Sequence, residues 1–297
     1  MALHKPVMCD EVLYYLNLKP GDIVVDCTIG EGGHAQILLE AISPDGRLIG
    51  IDRDEDALTA AKENLKKFAT PWWTLGHDDF RNIHQGILGR LGIKEVNGIL
   101  FDLGVSSLQL GTPERGFSMR LDARLDMRMD QHDNVSAYDL VNKLPAFDIS
   151  RILREYGEER WANRIANAIV RTRERQPIVN TGQLRDIVLN AIPYKGKSGR
   201  IDPATRTFQA FRIAVNRELE ALEEAISKAV PILKESGRIC VISYHSLEDR
   251  IVKNQFRRFY NEGVLDILTK KPVRPKDVEI ASNPRARSGK LRAAEKR

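Results

Sequence analysis

Three aspartates and one glycine-rich turn concentrate the groups in this sequence that could do chemistry. The turn reads Asp26-Cys27-Thr28-Ile29-Gly30-Glu31-Gly32-Gly33-His34. Gly30, Gly32 and Ala35 satisfy a relaxed G-x-G-x-x-A pattern, and Asp52 follows Gly32 by 20 residues. That spacing suits a nucleotide, because glycines let the backbone approach a ligand and a later acid accepts from ribose hydroxyls. Taken alone the pattern admits NAD. A pyrophosphate, however, needs backbone N–H groups and no nearby anion, and Asp26 stands at the entry to the turn. S-adenosylmethionine carries no phosphate; its sulfonium and ammonium groups are cationic and are favoured by that carboxylate. The chemistry therefore tilts toward the methyl donor. The plainer roles remain open: Asp26 as a helix cap, Gly32 and Gly33 as suppliers of positive φ, His34 as a packed side chain.

Positioning these residues requires a particular arrangement of elements. Residues 23–27 form an apolar run before the turn, 35–42 read as a helix, 47–52 as a strand and 55–68 as a helix. Further strands are expected at 72–75 and 98–103. Strands alternating with helices mean a parallel sheet covered on both faces, an α/β fold with ligands beyond the carboxyl ends of the strands. Asp26, Asp52 and Asp102 all fall at those ends. Asp102 leads into the small-residue loop Gly104-Val105-Ser106-Ser107.

Beyond Leu110 the alternation stops. Residues 115–133 are rich in Arg, Asp and Met, while 150–175 and 181–191 read as helices, so this stretch is expected to be an all-helical insertion. A single amphipathic helix is expected over 205–233, with Phe208, Phe211, Val215, Leu219, Leu222, Ile226 and Val230 stepping by three or four. Its polar side, Arg206, Gln209, Arg212 and Asn216, can face a nucleotide or the insertion. Gly237 ends it, a strand returns at 238–243, and another is expected at 264–269. The expected domains are therefore 1–109 with 204–297, discontinuous, and the insertion 110–203.

Composition narrows the class. At 297 residues with 42% hydrophobic and 29% charged content, the chain can bury a proper core. No apolar stretch reaches the roughly 20 residues that span a bilayer. The N-terminus lacks the pattern of a signal peptide. Cys9, Cys27 and Cys240 are too sparse for a disulfide framework or a zinc site, so no metal is expected and a reducing cytoplasm fits. The formal charge is +5. Residues 285–297 hold six basic groups and one acidic, so the remainder sums to zero. That distribution is what a basic arm meeting phosphates would show, and also what a solvated tail would show.

Eight segments then appear in order that together resemble one family. They are His4-Lys5-Pro6-Val7-Met8, the glycine turn, Phe101-Asp102-Leu103-Gly104-Val105-Ser106-Ser107, Arg115-Gly116-Phe117-Ser118, Leu125-Asp126-Met127-Arg128-Met129, residues 208–219, Ser243-Tyr244-His245-Ser246-Leu247-Glu248-Asp249-Arg250 and Asn283-Pro284-Arg285-Ala286-Arg287-Ser288. In combination they resemble the MraW-type ribosomal small-subunit RNA (cytosine-N4)-methyltransferases. The resemblance implies a Rossmann-like class I methyltransferase sheet with the helical domain inserted after the fourth strand. It implies methyl transfer from S-adenosylmethionine to the exocyclic N4 of a cytidine at the decoding centre of 16S rRNA, within the small ribosomal subunit; a homodimer is allowed. Cofactor contacts carried over by the resemblance fall on Gly32, Gly33, His34, Asp52, Phe80, Asp102 and Gln109, with Asp26 and Gly30 added from the turn itself. Phe80 follows the third strand, where its ring can cover adenine or simply pack in the core.

A cytosine amine is a poor nucleophile, so its site must accept hydrogen bonds from the amino protons and let nitrogen move toward sp³. Asp102 and the carbonyl of Leu103 are the expected acceptors, aided by Ser106 and Ser107. Many amino-methyltransferases carry an Asp/Asn-Pro-Pro-aromatic motif here; this chain has Asp102-Leu103-Gly104-Val105, with no aromatic to stack the base. Tyr244, His245 and Phe117 are candidates for holding it. Arg115, Arg120, Arg124, Arg128 and the C-terminal arm are candidates for phosphate contacts. Competing readings are a protein or small-molecule methyltransferase, a dinucleotide-dependent oxidoreductase, and a non-catalytic RNA-binding factor.

Overall fold

A computed structural model describes residues 6–69, 71–193 and 202–297. His4 and Lys5 of the first resembling segment lie outside the described residues. The chain forms two compact units, one of Met1–Ser106 with Leu219–Arg297 and one of Ser107–Glu218. The first is built on seven strands: β1 (Ile23–Asp26), β2 (Arg47–Asp52), β3 (Trp73–His77), β4 (Val96–Asp102), β5 (Leu233–Ser243), β6 (Leu265–Ile267) and β7 (Lys290–Lys296). They lie in the order β3-β2-β1-β4-β5-β7-β6. The first five run parallel, and β7 is antiparallel to both neighbours.

Helices α1 (Cys9–Leu16), α2 (Gly33–Ile42), α3 (Glu55–Leu65) and the short α4 (Gly89–Leu91) accompany the first half of the sheet. The other unit contains α5 (Ser107–Gly111), α6 (Ala137–Lys143), α7 (Ala146–Glu155), α8 (Ala162–Arg173), α9 (Thr181–Ala191) and α10 (Thr205–Asn216). The chain returns to the sheet unit through α11 (Glu218–Ala229), α12 (Ser246–Asn261) and α13 (Asp277–Ser282).

Alternation along the strands decides what covers each face of the sheet. Val24, Leu48, Leu100 and Ile242 point to one face and pack with Val12, Leu38, Leu39 and Leu65 of α1 to α3. Val25, Ile49, Phe101 and Val241 point to the other and pack with Leu222, Ile226, Val252 and Phe256 of α11 and α12. Each such side chain contributes about 1.5–3 kcal/mol on burial, so both helical layers are needed. Parallel register brings the carboxyl ends to one edge. Asp26 ends β1 opposite Gly50 and Leu100, Asp52 ends β2 opposite His77, and Asp102 ends β4 opposite Ile242. Strand order reverses between β1 and β4, which makes that edge the place for a ligand.

Three expectations need correction. The stretch 205–233 is two helices, not one: Arg217 takes φ +49° between α10 and α11. A 3.6-residue apolar rhythm continues across a single left-handed residue, so periodicity could not reveal the break. The unit boundary falls at this break, which leaves α10 in the helical unit. Of the polar row, Gln209, Arg212 and Asn216 turn inward within that unit, whereas Arg206 is exposed. Gln209 donates to the Tyr156 carbonyl, Arg212 forms a two-pronged pair with Glu218, and Asn216 Nδ2 donates to the Met127 carbonyl.

The second correction concerns the C-terminal residues, which are no arm. β7 sits inside the sheet between β5 and β6, with Leu291, Arg292, Ala293 and Ala294 buried. Arg292 Nε pairs with Asp249 at 2.7 Å, Arg297 with Asp266 at 2.7 Å, and Lys296 Nζ donates to the carbonyls of Pro231 and Leu233. The third concerns the insertion arginines. Arg115 is 6% exposed and donates to the carbonyls of Arg128 and Met129, while Arg128 grips Asp126 through two nitrogens. These two build the loop; Arg120 and Arg124 are exposed.

Candidate cofactor site

The glycine turn leaves β1 and folds back over the ends of its neighbours. Thr28 N–H donates to Asp26 Oδ1 at 3.1 Å, and Gly30 N–H donates to Asp52 Oδ2 at 2.9 Å. Gly30 and Gly32 hold φ of +51° and +82°, a region that side chains disfavour. Gly33 opens α2 against Pro6, which a Cβ would meet at 3.3 Å. The turn is therefore tied to β2 through the carboxylate expected to receive a ribose. Asp52 Oδ1 also accepts from Asp54 N–H at 3.0 Å. Burial raises the Asp52 pKa, and the Asp54 and Gly30 amides act against that rise. One bond to each oxygen fixes the plane of the carboxylate and leaves it acceptor capacity toward a ligand.

Asp26 is 1% exposed, and its Oδ2 is buried with no hydrogen-bond partner among the described residues. Burial pushes its pKa up to about 7, with Asp102 and Asp52 adding to the rise and His34 and the Thr28 amide opposing it. Buried acceptors without donors are rare and call for explanation. An orphaned carboxylate oxygen in a cluster of three acids fits a cationic, phosphate-free ligand. It repels a pyrophosphate.

Asp102 is held from three sides. Its amide donates to Thr28 Oγ1 at 2.6 Å, Tyr244 Oη donates to Oδ1 at 2.8 Å, and His34 Nδ1 lies 3.5 Å from Oδ2. His34 Nε2 lies 2.8 Å from the Val7 carbonyl, which can only accept, so that nitrogen carries the proton. Burial and the neighbouring Asp102 drive the Tyr244 phenol well above its ordinary pKa, so it remains a donor. Gly104, at φ +98°, passes beneath the Tyr244 ring, and a Cβ there would reach Cδ2 at 3.5 Å.

The remaining candidates divide. Leu103 is buried, its amide donates to the Ile242 carbonyl at 3.0 Å, and Ser106 is half-buried at the end of the sheet unit. Phe80 lies in a short 3-10 turn, half-buried, edge-on to Phe101 with centroids 5.7 Å apart. Gln109 belongs to α5 of the helical unit, where it is 4% exposed. His245 caps α12 through Nδ1 in a reciprocal pair with Glu248, and its buried Nε2 lies 3.0 Å from Glu248 Oε1. Phe117 is buried in the helical unit beside Arg115. The roles of Thr28 and Tyr244 around Asp102 were not legible in the sequence, because both partners come from loops 74 and 142 residues away.

A sheet of this order, with acids closing β1, β2 and β4 below a glycine turn, defines a class I methyltransferase. The chain belongs to the MraW methylase family, whose model matches residues 1–297. It is accordingly a methyltransferase, and S-adenosylmethionine is its methyl donor. Among its relatives are proteins named ribosomal RNA small subunit methyltransferase H. That of Geobacter sulfurreducens is 52% identical, covering 99% of this chain and 98% of its own length. That of Halothermothrix orenii is 47% identical, covering 100% and 99%, and that of Caldicellulosiruptor saccharolyticus 47%, covering both in full.

Proposed function

We propose that this enzyme methylates the exocyclic N4 of a cytidine in 16S rRNA, at the decoding centre, acting on the small ribosomal subunit. The observation that carries the reading is full-length similarity, at about half identity, to proteins named for small-subunit ribosomal RNA methylation. Bound S-adenosylmethionine supplies a methyl group activated by its sulfonium charge. The residues of this chain bind and orient. Asp52 receives the ribose hydroxyls, the backbone of Gly30 to Gly33 lies along the ligand, and Phe80 covers the adenine. Asp26 Oδ2 faces the cationic portion.

Methyl displacement is in line, so catalysis rests on placement and on fixed dipoles. Asp102, immobilised by Tyr244 and Thr28, accepts from the amino group. The Leu103 carbonyl and Ser106 complete the acceptors that draw the N4 lone pair out of conjugation. The target base is turned out of its stack to reach them. The helical unit is the RNA-binding part. Among the described residues no helix is long and apolar enough to cross a membrane, and we place the enzyme in the cytoplasm.

Incubation with labelled donor and undermethylated small subunits, followed by mass spectrometry of the RNA, tests the reading. Label on a cytidine N4 is expected. Label in protein, or none in RNA, would overturn it.

A further inference from the structure

Helices α7 and α8 of the helical unit flank a groove of about 530 Å³ that the cofactor chemistry does not use. Its lining includes Phe147, Ser150, Arg151, Arg154, Asn163 and Asn167. Phe147, Arg151 and Arg154 recur at one-turn steps and so share a face of α7. Phe147 is 77% exposed. Arg154, exposed, donates from Nη2 to Asn163 Oδ1 at 3.0 Å, which holds the guanidinium toward α8. Arg151 pairs with Asp148 at 3.0 Å on the exposed surface. Exposed pairs of this kind are worth little, so a phosphate can replace the carboxylate. Glu155 is the other acid on the rim. Just before and along α8, Arg160, Arg164 and Arg171 are exposed, and Arg160 and Arg164 lie over the Trp161 ring at 5.1 and 5.8 Å.

We propose that this groove binds unpaired RNA of the substrate, with a base stacked on Phe147 and flanking phosphates on Arg151 and Arg154. The proposal rests on the RNA-methyltransferase reading. Charge favours that occupant: residues 107–218 hold nineteen Lys and Arg against fourteen Asp and Glu, the whole formal +5 of the chain. A ring with an open face beside fork-shaped donors is how sequence-tolerant single-strand sites are made. Asn163 and Asn167 offer amides to base edges.

The test uses the full chain and a dye-labelled, unstructured oligoribonucleotide of about ten nucleotides, a length typical of such sites. Fluorescence anisotropy should show Phe147→Ala weakening binding roughly tenfold, and Phe147→Trp restoring it. Arg154→Gln should weaken it less and lower its salt dependence. Affinity for S-adenosylhomocysteine should be unchanged in all three. Wild-type affinity in Phe147→Ala, or no binding by the unaltered chain, overturns the groove. So does sedimentation showing that Phe147→Ala turns a dimer into monomers, because the face would then seat a second copy. Methyl transfer to small subunits is read in parallel: its absence in the unaltered chain overturns the enzymatic reading, whatever the anisotropy shows.

Discussion

Formal charge separates the two units. The helical unit carries the entire +5, whereas the sheet unit balances twenty-seven basic residues against twenty-seven acidic ones. Within the sheet unit, residues 285–297 are as basic as the helical unit is overall. The two sets of cations are employed differently. Of those in β7 and its flanks, Arg292 and Arg297 pair with Asp249 and Asp266 and Lys296 donates to backbone carbonyls, while Arg285 and Arg287 are exposed. Around α7 and α8, Arg151, Arg154, Arg160 and Arg164 are exposed, the last two over the Trp161 ring. Net charge along a sequence therefore says little about a partner until its local counterions are known.

Removing residues 284–297 would break this comparison most severely. β7 joins β6 to β5 and buries Leu291, Ala293 and Ala294. The truncated chain is expected to lose its thermal transition by circular dichroism, and with it both cofactor and RNA binding. Loss of RNA binding alone would restore the arm.

Asp52→Ala comes next. A charged acceptor lost from a ligand costs about 1.5–3 kcal/mol, so calorimetry should show S-adenosylhomocysteine binding weakened roughly 10- to 100-fold. RNA affinity should be unchanged if the two units divide these tasks.

Asp26 sharpens the comparison through pH. Folded Asp26 holds its proton to about 7, whereas an unfolded carboxylate releases it in the usual acidic range. Through that window the folded state binds more protons, so this group's contribution to stability falls as pH rises toward 7. In the ligand-free protein, Asp26→Asn should flatten the decline of melting temperature across that window. Cofactor affinity of the unaltered chain should climb as pH passes through about 7, because the ionised carboxylate receives the cation. A pH-independent affinity would remove Asp26 from the cationic portion.

The smallest effect is expected for Tyr244→Phe. Losing one hydrogen bond to a charged group, at the low end of about 1.5 kcal/mol, should lower kcat roughly 10-fold. KM for the donor should move little, since the phenol positions Asp102 and does not touch the ribose. A larger change in KM than in kcat would make Tyr244 a binding residue.

What the sequence disclosed and what it hid follow from range. The three strand-end acids were legible because a strand, its terminal residue and the next turn are neighbours in the chain. The glycine turn was legible for the same reason. The network about Asp102 was not, because Thr28, His34 and Tyr244 meet it only through the parallel pairing of β1, β4 and β5. Lys-Leu-Arg-Ala-Ala-Glu-Lys has little intrinsic strand preference, so β7 is a strand through its two partners. Arg115 resembled a phosphate ligand because its partners are backbone carbonyls, which leave no mark in composition.

The central position of β7 also bears on the order in which the molecule is made. β5 pairs with β4 along one side, and its other edge is covered only by residues 290–296. During synthesis that edge, carrying Ile239, Val241 and Ile242, stays open until those residues have left the ribosomal tunnel. Unpaired apolar edges recruit other strands. The helical unit is one continuous segment and is complete much earlier. Closure of β5 thus waits for a strand made after the whole of the helical unit.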